Sequence, residues 1–248
     1  RYRPSIRIDD TPDSLERIAG ERGVPLYDVR RPLGAELRSI LEHLEPALLV
    51  AACFPWLLPP SISEVVALGG VNLHPSPLPR FRGPDPLFWA YRCAQGDWGV
   101  AVHQIAESYD SGPILAQQSF SIADAMPGDE LERQAASLGA DLLLTVLERA
   151  SWGTLHGTTQ DEASATYQSW PSADELLIDR DWSVQRVLNF VIGIRPLGYE
   201  PAIDTSRGLR LVRTARSIDR SAENTEVWVN ETTVCLRFAD GVVEFTVA

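Results

Sequence analysis

Over residues 1–152 the spacing of apolar positions switches repeatedly between the helical and the strand period. Leu15 and Ile18 follow Thr11-Pro12, a cap residue with proline at the first helical position, and Gly20 and Gly23 break that helix. Val24-Pro25-Leu26-Tyr27 reads as a short strand. Leu37, Ile40, Leu41 and Leu44 recur at three and four residues and predict a helix over 36–44. Residues 47–53 are an unbroken apolar run of strand length, as expected where both faces of a parallel strand are covered. Ser61-Ile62-Ser63-Glu64 has the form of a capping box and predicts a helix ending near Gly69-Gly70. A strand over 71–74 stops abruptly at Pro75. A helix over 86–95, strands over 99–105 and 114–122, and a long helix over 130–150 follow. This alternation predicts an α/β fold with a doubly wound, mainly parallel sheet. Such sheets bind ligands beyond the carboxyl ends of their strands, so the stretch after 71–74 is where chemistry is expected.

The pattern then changes. Residues 153–165 are small, polar and rich in Thr, and read as a linker. A helix over 183–192 is followed by short apolar runs at 209–212, 227–229, 234–238 and 242–247, with Asp240-Gly241 marking a hairpin. A first domain over 1–152 is therefore expected to lead into a smaller, mostly β domain over 166–248, whose barrel-like closure would hide its edge strands.

Composition narrows the function. No apolar run is long enough to cross a bilayer, and residues 1–10 lack the apolar segment of a signal peptide, so neither membrane nor secretion is expected. Cys53, Cys93 and Cys235 are few and widely spaced, as expected of buried free thiols in a reducing cytoplasm. All 22 basic residues are Arg. Without Lys there is no Schiff-base lysine and no P-loop lysine. The net charge of −12 argues against a large polyanionic partner such as RNA, although Arg80 and Arg82 leave room for a local basic patch.

Of the four histidines, none has a second His or Cys at metal-ligand spacing, so no metal is expected. His43 falls on the polar side of a helix, His103 alternates inside a strand and His156 lies in the linker. His74 differs: it ends a buried strand and meets Pro75-Ser76-Pro77-Leu78-Pro79. Three prolines in five residues restrict the backbone there and preorganise whatever His74 faces.

The segment Val71-Asn72-Leu73-His74-Pro75-Ser76-Pro77-Leu78-Pro79-Arg80-Phe81-Arg82-Gly83 resembles the signature loop of the folate-dependent formyltransferases, Asn-x-His-x-Ser-x-Leu-Pro followed by Arg-Gly. That family includes the methionyl-tRNA, glycinamide ribonucleotide and sugar N-formyltransferases. Tyr109-Asp110-Ser111-Gly112-Pro113-Ile114-Leu115 is similar to its downstream Asp-small-Gly motif. The resemblance implies a Rossmann-like formyltransferase domain, 10-formyltetrahydrofolate as co-substrate, and Asn72, His74 and Asp110 as catalytic residues. An amine attacking a formyl carbon develops an oxyanion. Asn72 could donate to it, His74 could add a second donor or move the proton, and Asp110 beside His74 would favour the imidazolium.

By the same resemblance, Trp56, Leu57 and Leu58 in the loop 54–59 line the folate, with Ala106, Glu107 and Tyr109 on the other side. Arg80 and Arg82 could clamp a carboxylate or diphosphate of the acceptor. Thr166-Tyr167 and Ile178-Asp179-Arg180-Asp181-Trp182 are similar to the entry of the C-terminal domain in the methionyl-tRNA group, and Arg195-Pro196-Leu197-Gly198-Tyr199 replaces its usual Pro-Trp-Pro-Gly-aromatic stretch. The family normally opens with a strand, a helix and a second strand ahead of the point where this sequence starts, so the first βαβ unit is expected to be absent from it. The acceptor expected is the primary amine of a small molecule, a nucleotide-linked amino sugar or a biosynthetic amine. Methionyl-tRNA, supported by domain order and opposed by charge, stays open, as do an inactive folate-binding homologue and a formate-releasing hydrolase.

Overall fold

The computed structural model describes residues 14–27, 35–54, 56–153, 155–218 and 226–248. Helix α1 (Leu15–Arg22) starts on Ser14, whose hydroxyl accepts from the Arg17 N–H, and ends on Gly23 in the left-handed conformation. Gly20 therefore lies inside the helix, and the Thr11-Pro12 start falls outside the described residues. Val24, Leu26 and Tyr27 are exposed and belong to no described strand, so the short strand expected there is not formed. Helix α2 (Ala35–Leu44) leads into β1 (Leu49–Ala52). The helix expected after Ser61 is reduced to α3 (Pro60–Ser63). Two tight turns follow, from the Val66 N–H to Ser63 O and from the Gly69 N–H to Val66 O. They gather Ile62 and Val66 into a small core with Leu41, Ala51 and Leu58.

Strands β2 (Gly70–His74), β3 (Asp97–Gln104) and β4 (Ile114–Ser121) complete the first sheet, in the order β1-β2-β3-β4. β1 and β2 are parallel, whereas β2–β3 and β3–β4 are antiparallel. Over the described strands the α/β sheet is thus mixed rather than mainly parallel. The reason is connection length. Between β2 and β3 the chain makes only one short helix, α4 (Pro86–Arg92), and re-enters the sheet at the end where β2 stops. The loop 105–113 then turns straight back into β4. Neither is a full crossover of the kind parallel pairing requires. Helix α5 (Gly128–Ser151) covers one face, burying Leu131, Ala135, Val146 and Ala150 at helical spacing and packing Gly139 against Leu73. Trp98, Val100, Ala101 and Val102 of β3 are wholly buried, so β3 is covered on both faces.

Helix α6 (Val184–Ile194) is capped by the Ser183 hydroxyl and precedes a five-stranded antiparallel sheet. Its strands are β5 (Ala202–Thr205), β6 (Gly208–Ile218), β7 (Glu226–Asn230), β8 (Thr233–Arg237) and β9 (Val242–Val247), in the order β5-β6-β9-β8-β7. The Asp240-Gly241 hairpin joins β8 to β9 as expected. β5, four residues long, gave no sequence signal. The two edge strands approach each other: Ser206, in the turn after β5, donates its N–H to the Glu226 carboxylate at the start of β7, and Arg207 lies over the Trp228 ring at 4.0 Å. The sheet is therefore curled, and its edges are partly hidden. Cys235 is buried and Cys93 half-buried, but Cys53, just past the end of β1, is exposed, which corrects the expectation of buried thiols for that residue. No described helix is long and apolar enough to cross a membrane.

One hydrophobic core runs through both sheets. Phe88 of α4 meets Phe190 of α6 edge-on at 6.2 Å and Tyr199 at 4.7 Å. Gly193 lets the ring of Tyr91 lie against α6, since a Cβ there would stand 2.3 Å from two of its carbons, and the Tyr91 hydroxyl is held by Met126 O at 2.9 Å. Gly193→Ala should therefore lower the unfolding free energy by about 1–3 kcal/mol, the usual cost of overpacking. Urea unfolding of the variant measures this. Unchanged stability would mean that the α4–α6 contact yields freely.

Candidate active site

Strand alternation brings the first two candidate residues together. Asn72 and His74 are two apart on β2 and share a face, while Val71 and Leu73 point to the face covered by α5. Across the ladder Asn72 stands opposite His103 and His74 opposite Ala101. The small Ala101 leaves room for an imidazole, and the Asn72–His103 pairing places those two side chains in contact. His103 is thus a site residue that its reading as an ordinary strand histidine missed. Its signal lies in strand register, which becomes visible only once β2 and β3 are known to pair.

Asp110 arrives from the loop 105–113 with a left-handed backbone (φ 54). Its carboxylate is divided between two sides. Oδ1 accepts from Asn72 Nδ2 at 3.2 Å and faces His103 Nε2 at 3.4 Å. Oδ2 accepts from the Gly83 N–H at 2.8 Å and faces His74 Nε2 at 3.7 Å, a distance of charge interaction rather than hydrogen bonding. Gly83 is constrained twice. Its φ is +98, and a Cβ would stand 2.2 Å from Gln168 O, so only glycine delivers that N–H.

Protonation can be read from the partners. His103 Nδ1 lies 2.8 Å from Gln104 O, and a carbonyl can only accept, so Nδ1 carries the hydrogen. In the neutral ring Nε2 holds a lone pair and accepts from Asn72 Nδ2 at 3.1 Å; when protonated it turns its hydrogen to Asp110 Oδ1. His74 Nε2 likewise donates to Phe81 O at 2.9 Å, leaving the lone pair on Nδ1. Burial lowers the His74 pKa, and Asp110 and the Phe81 carbonyl only partly oppose it. Asp110 thus favours the imidazolium as expected, but its effect is smaller than that of burial. His74 is 6% exposed, and desolvation of the cation outweighs the nearby charge. For Asp110 the balance is reversed. Burial raises its pKa, but the contacts with His103, His74 and the Gly83 N–H together bring it below the ordinary carboxylate value.

The loop after His74 is rich in proline and hence poor in N–H donors, yet it is largely buried. Its carbonyls are satisfied from outside: Pro75 O by Trp98 Nε1 at 2.7 Å, Leu78 O by Gln117 Nε2 at 2.9 Å and Pro79 O by the Thr166 N–H at 3.2 Å. Arg80 and Arg82 do not form a pair. Arg80 is exposed and reaches over the Phe81 ring at 5.8 Å. Arg82 is 8% exposed, and its guanidinium is bound by Gln160 and Glu162.

A cleft opens beside Asn72, His103 and Asp110. Phe54, Trp56, Leu57 and Leu58 line one side, and Ile105, Ala106, Ser108 and Tyr109 the other. Phe54 and Trp56 meet edge-on at 5.5 Å, and the Tyr109 hydroxyl accepts from the Leu57 N–H at 3.0 Å across the opening. Glu107, from the same stretch, is exposed and does not line the cleft. Most residues named from sequence for this cleft are thus brought together by the fold.

Comparison with known proteins accords with this geometry. Residues 12–147 match the family profile described as formyl transferase. A methionyl-tRNA formyltransferase of Geobacter metallireducens is 30% identical over 185 residues, which are 75% of this chain and 60% of that protein. The chain thus spans about 60% of the length of that curated relative. Among solved structures, HypX from Aquifex aeolicus in complex with tetrahydrofolic acid superposes with a TM-score of 0.69 at 20% identity, over 97% of this chain and 42% of that one. WlaRD, a sugar 3N-formyl transferase, superposes with a TM-score of 0.70 at 15% identity, over 98% and 85%. At those identities the structural likeness establishes the fold. With more than half of its length matched to the family profile, and with both motif loops meeting at one carboxylate, this chain belongs to the formyl transferase family.

Proposed function

We propose that this chain transfers a formyl group from 10-formyltetrahydrofolate to a primary amine, with Asn72, His74, His103 and Asp110 acting together. The observation that carries the reading is the Asp110 carboxylate held between two imidazoles and the Asn72 amide, at the inner end of a cleft with flat apolar walls. A folate fits that cleft by its chemistry. Phe54, Trp56, Leu57 and Leu58 offer surface for a flat heteroaromatic ring, and the Leu57 N–H, now on Tyr109, offers a donor to its polar edge. When bound it supplies the formyl carbon.

The chain's own residues then handle charge and protons. As the amine attacks, the formyl oxygen gains negative charge and the nitrogen must lose a proton. Both N–H groups of Asn72 are engaged at rest, one by Asp110 Oδ1 and one by His103 Nε2. If His103 Nε2 takes up a proton it becomes a donor to Asp110 Oδ1, 3.4 Å away, and an Asn72 N–H is released to the oxygen. Proton uptake and oxyanion stabilisation are coupled in this way. His74, neutral because it is buried, contributes a lone pair at Nδ1 and holds the Phe81 carbonyl.

For the acceptor we infer a small-molecule amine. The net charge of −12 opposes a tRNA-sized polyanion over much of the surface, and Arg80, the exposed arginine of the motif loop, suffices for one anionic group. A second reading, the amino group of methionyl-tRNA, is favoured by the name of the curated relative.

Asn72→Ala, His74→Ala and Asp110→Ala should each lower kcat by roughly a hundredfold or more, with folate affinity much less affected. Tetrahydrofolate release with an accepted amine measures this, and near-normal turnover of Asp110→Ala would end the proposal. The acceptor is decided by titrating methionyl-tRNA at physiological salt alongside a formylation assay on the same tRNA. Binding no tighter than about 10⁻⁴ to 10⁻⁶ M, without product, is expected for a non-specific ligand. Sub-micromolar binding with efficient formylation would establish the second reading instead.

The third prediction concerns pH and stability. His74 titrates below its ordinary value of 6.5 in the fold, so the unfolded chain takes up that proton first as pH falls. Its contribution is complete above about pH 6.5 and is lost as pH drops from there towards the folded value. Asp110, also lowered, acts in a separate window, losing its contribution only as pH falls below 3.8. Thermal unfolding of His74→Asn should therefore depend less on pH between about 7.5 and 5 than that of the unmodified protein. Equal slopes would contradict a buried, neutral His74.

A further inference from the structure

Residues 153–165, read from sequence as a connecting stretch, run across both motif loops. Thr158 exchanges two backbone hydrogen bonds with Ile114, each 2.8 Å long. Thr166 accepts the Phe81 N–H on its hydroxyl at 2.8 Å and the Arg82 N–H on its carbonyl at 2.9 Å, and the Gln168 N–H returns to Arg82 O at 2.8 Å. Between these contacts lies Gln160, 6% exposed, with every hydrogen-bonding direction of its carboxamide in use. Nε2 donates to Asp110 O and to Gly112 O, both at 2.7 Å. Oε1 accepts from Arg82 Nε at 3.1 Å and from Arg82 Nη2 at 2.9 Å. The orientation is dictated chemically, because the guanidinium can only donate and the two carbonyls can only accept.

Gln160 therefore joins the loop that carries the Gly83 N–H to the loop that carries the Asp110 carboxylate. Those two groups meet at 2.8 Å. Arg82 is positioned to transmit the tie, since Gly83 follows it directly and its remaining donors are held by Glu162 at 2.7 and 3.0 Å. A drift of about 1 Å between the loops would break the Gly83–Asp110 bond and retire Asp110 from both imidazoles, a misplacement of the size that costs on the order of a hundredfold in rate.

We propose that Gln160 is a positioning residue for the reaction, a clamp whose carboxamide sets the distance between the Arg82-Gly83 turn and the Asp110–Gly112 turn and so holds the Asp110 carboxylate against His74, His103 and Asn72. The role rests on the formyl-transfer reading for its kinetic consequence and on geometry alone for its structural one. Gln160 touches Asp110 only at its main chain and does not itself line the cleft, so binding of a folate should depend on it little.

The charged and titratable groups facing Asp110 are His74 from β2, His103 from β3 and, from the stretch beyond Gln160, Tyr167. Loosening the clamp weakens the Gly83 and imidazole contacts that lower the Asp110 pKa and leaves burial to raise it. The Asp110 carboxyl should accordingly titrate at higher pH. Gln160→Ala is expected to lower kcat roughly tenfold to a hundredfold with KM for 10-formyltetrahydrofolate within about twofold. The Asp110 titration should shift upward by about one pH unit. Gln160→Glu retains acceptors for Arg82 but has no N–H for the two carbonyls, so it should reproduce both effects even if Gln160→Ala folds poorly. Val234→Ala, in the second sheet and wholly buried, serves as a variant of reduced stability that leaves kcat and the Asp110 titration in place.

The Asp110 carboxyl carbon, followed by NMR titration of the protein without substrates, reads the same displacement with no turnover required. An upward shift in both Gln160 variants and none in Val234→Ala is the expected result. Unmoved titration in the Gln160 variants, or an equal shift in Val234→Ala, would overturn the clamp. A protein that formylates no amine, yet shows the Gln160-dependent titration, would overturn the functional reading and leave the clamp standing.

Discussion

The site depends on one buried anion. Asp110 is a buried carboxylate whose surroundings by themselves raise its pKa, and it is kept ionised because two N–H donors and two imidazoles are turned towards it. Those partners come from three parts of the chain. Asn72 and His74 are delivered by β2, His103 by β3 and the Gly83 N–H by a turn whose φ admits glycine. Removing a partner from such a group strands a desolvated charge, which is costlier than the mean value of one hydrogen bond. The arrangement is therefore restricted to a narrow set of geometries.

The same accounting governs the proline-rich loop. Proline restricts the backbone but provides no N–H, so a buried stretch of this composition exposes an excess of acceptors to the interior. Trp98, Gln117, the main chain of Thr166 and the imidazole of His74 supply the missing donors. His74 is thus part of the scaffold as well as of the site. Its bond to the Phe81 carbonyl fixes the tautomer and leaves Nδ1 as the remaining functional atom.

The second sheet is connected to this network by packing rather than by charge. α6 lies between α4 and the curled sheet, with Phe190 and Ile194 wholly buried, and Phe88 bridges to Tyr199. The Tyr199 hydroxyl donates to Asp85, whose carboxyl is pushed up by burial against the bonds from Tyr199 and the Phe88 N–H. Asp85 lies two residues beyond Gly83. The motif turn is therefore braced on one side by the stretch 158–168 and on the other by the second sheet's leading helix and loop.

Sequence by itself determined the elements whose signal is local: the long apolar helix near 130–150, the apolar run of β1, the hairpin at Asp240-Gly241, and the two motif loops with Asn72, His74 and Asp110. The elements follow from periodicity and turn chemistry and the motif loops from their resemblance to the family signature, all of which are carried by neighbouring residues. Only the tertiary structure decided the sheet's mixed pairing, because connection geometry rather than strand composition sets direction. Only it recruited His103, whose role comes from standing opposite Asn72 on another strand. It also bound the Arg82 guanidinium to Gln160 and Glu162, and it lowered the His74 pKa, because desolvation depends on everything packed around a ring and not on the residues beside it in the chain.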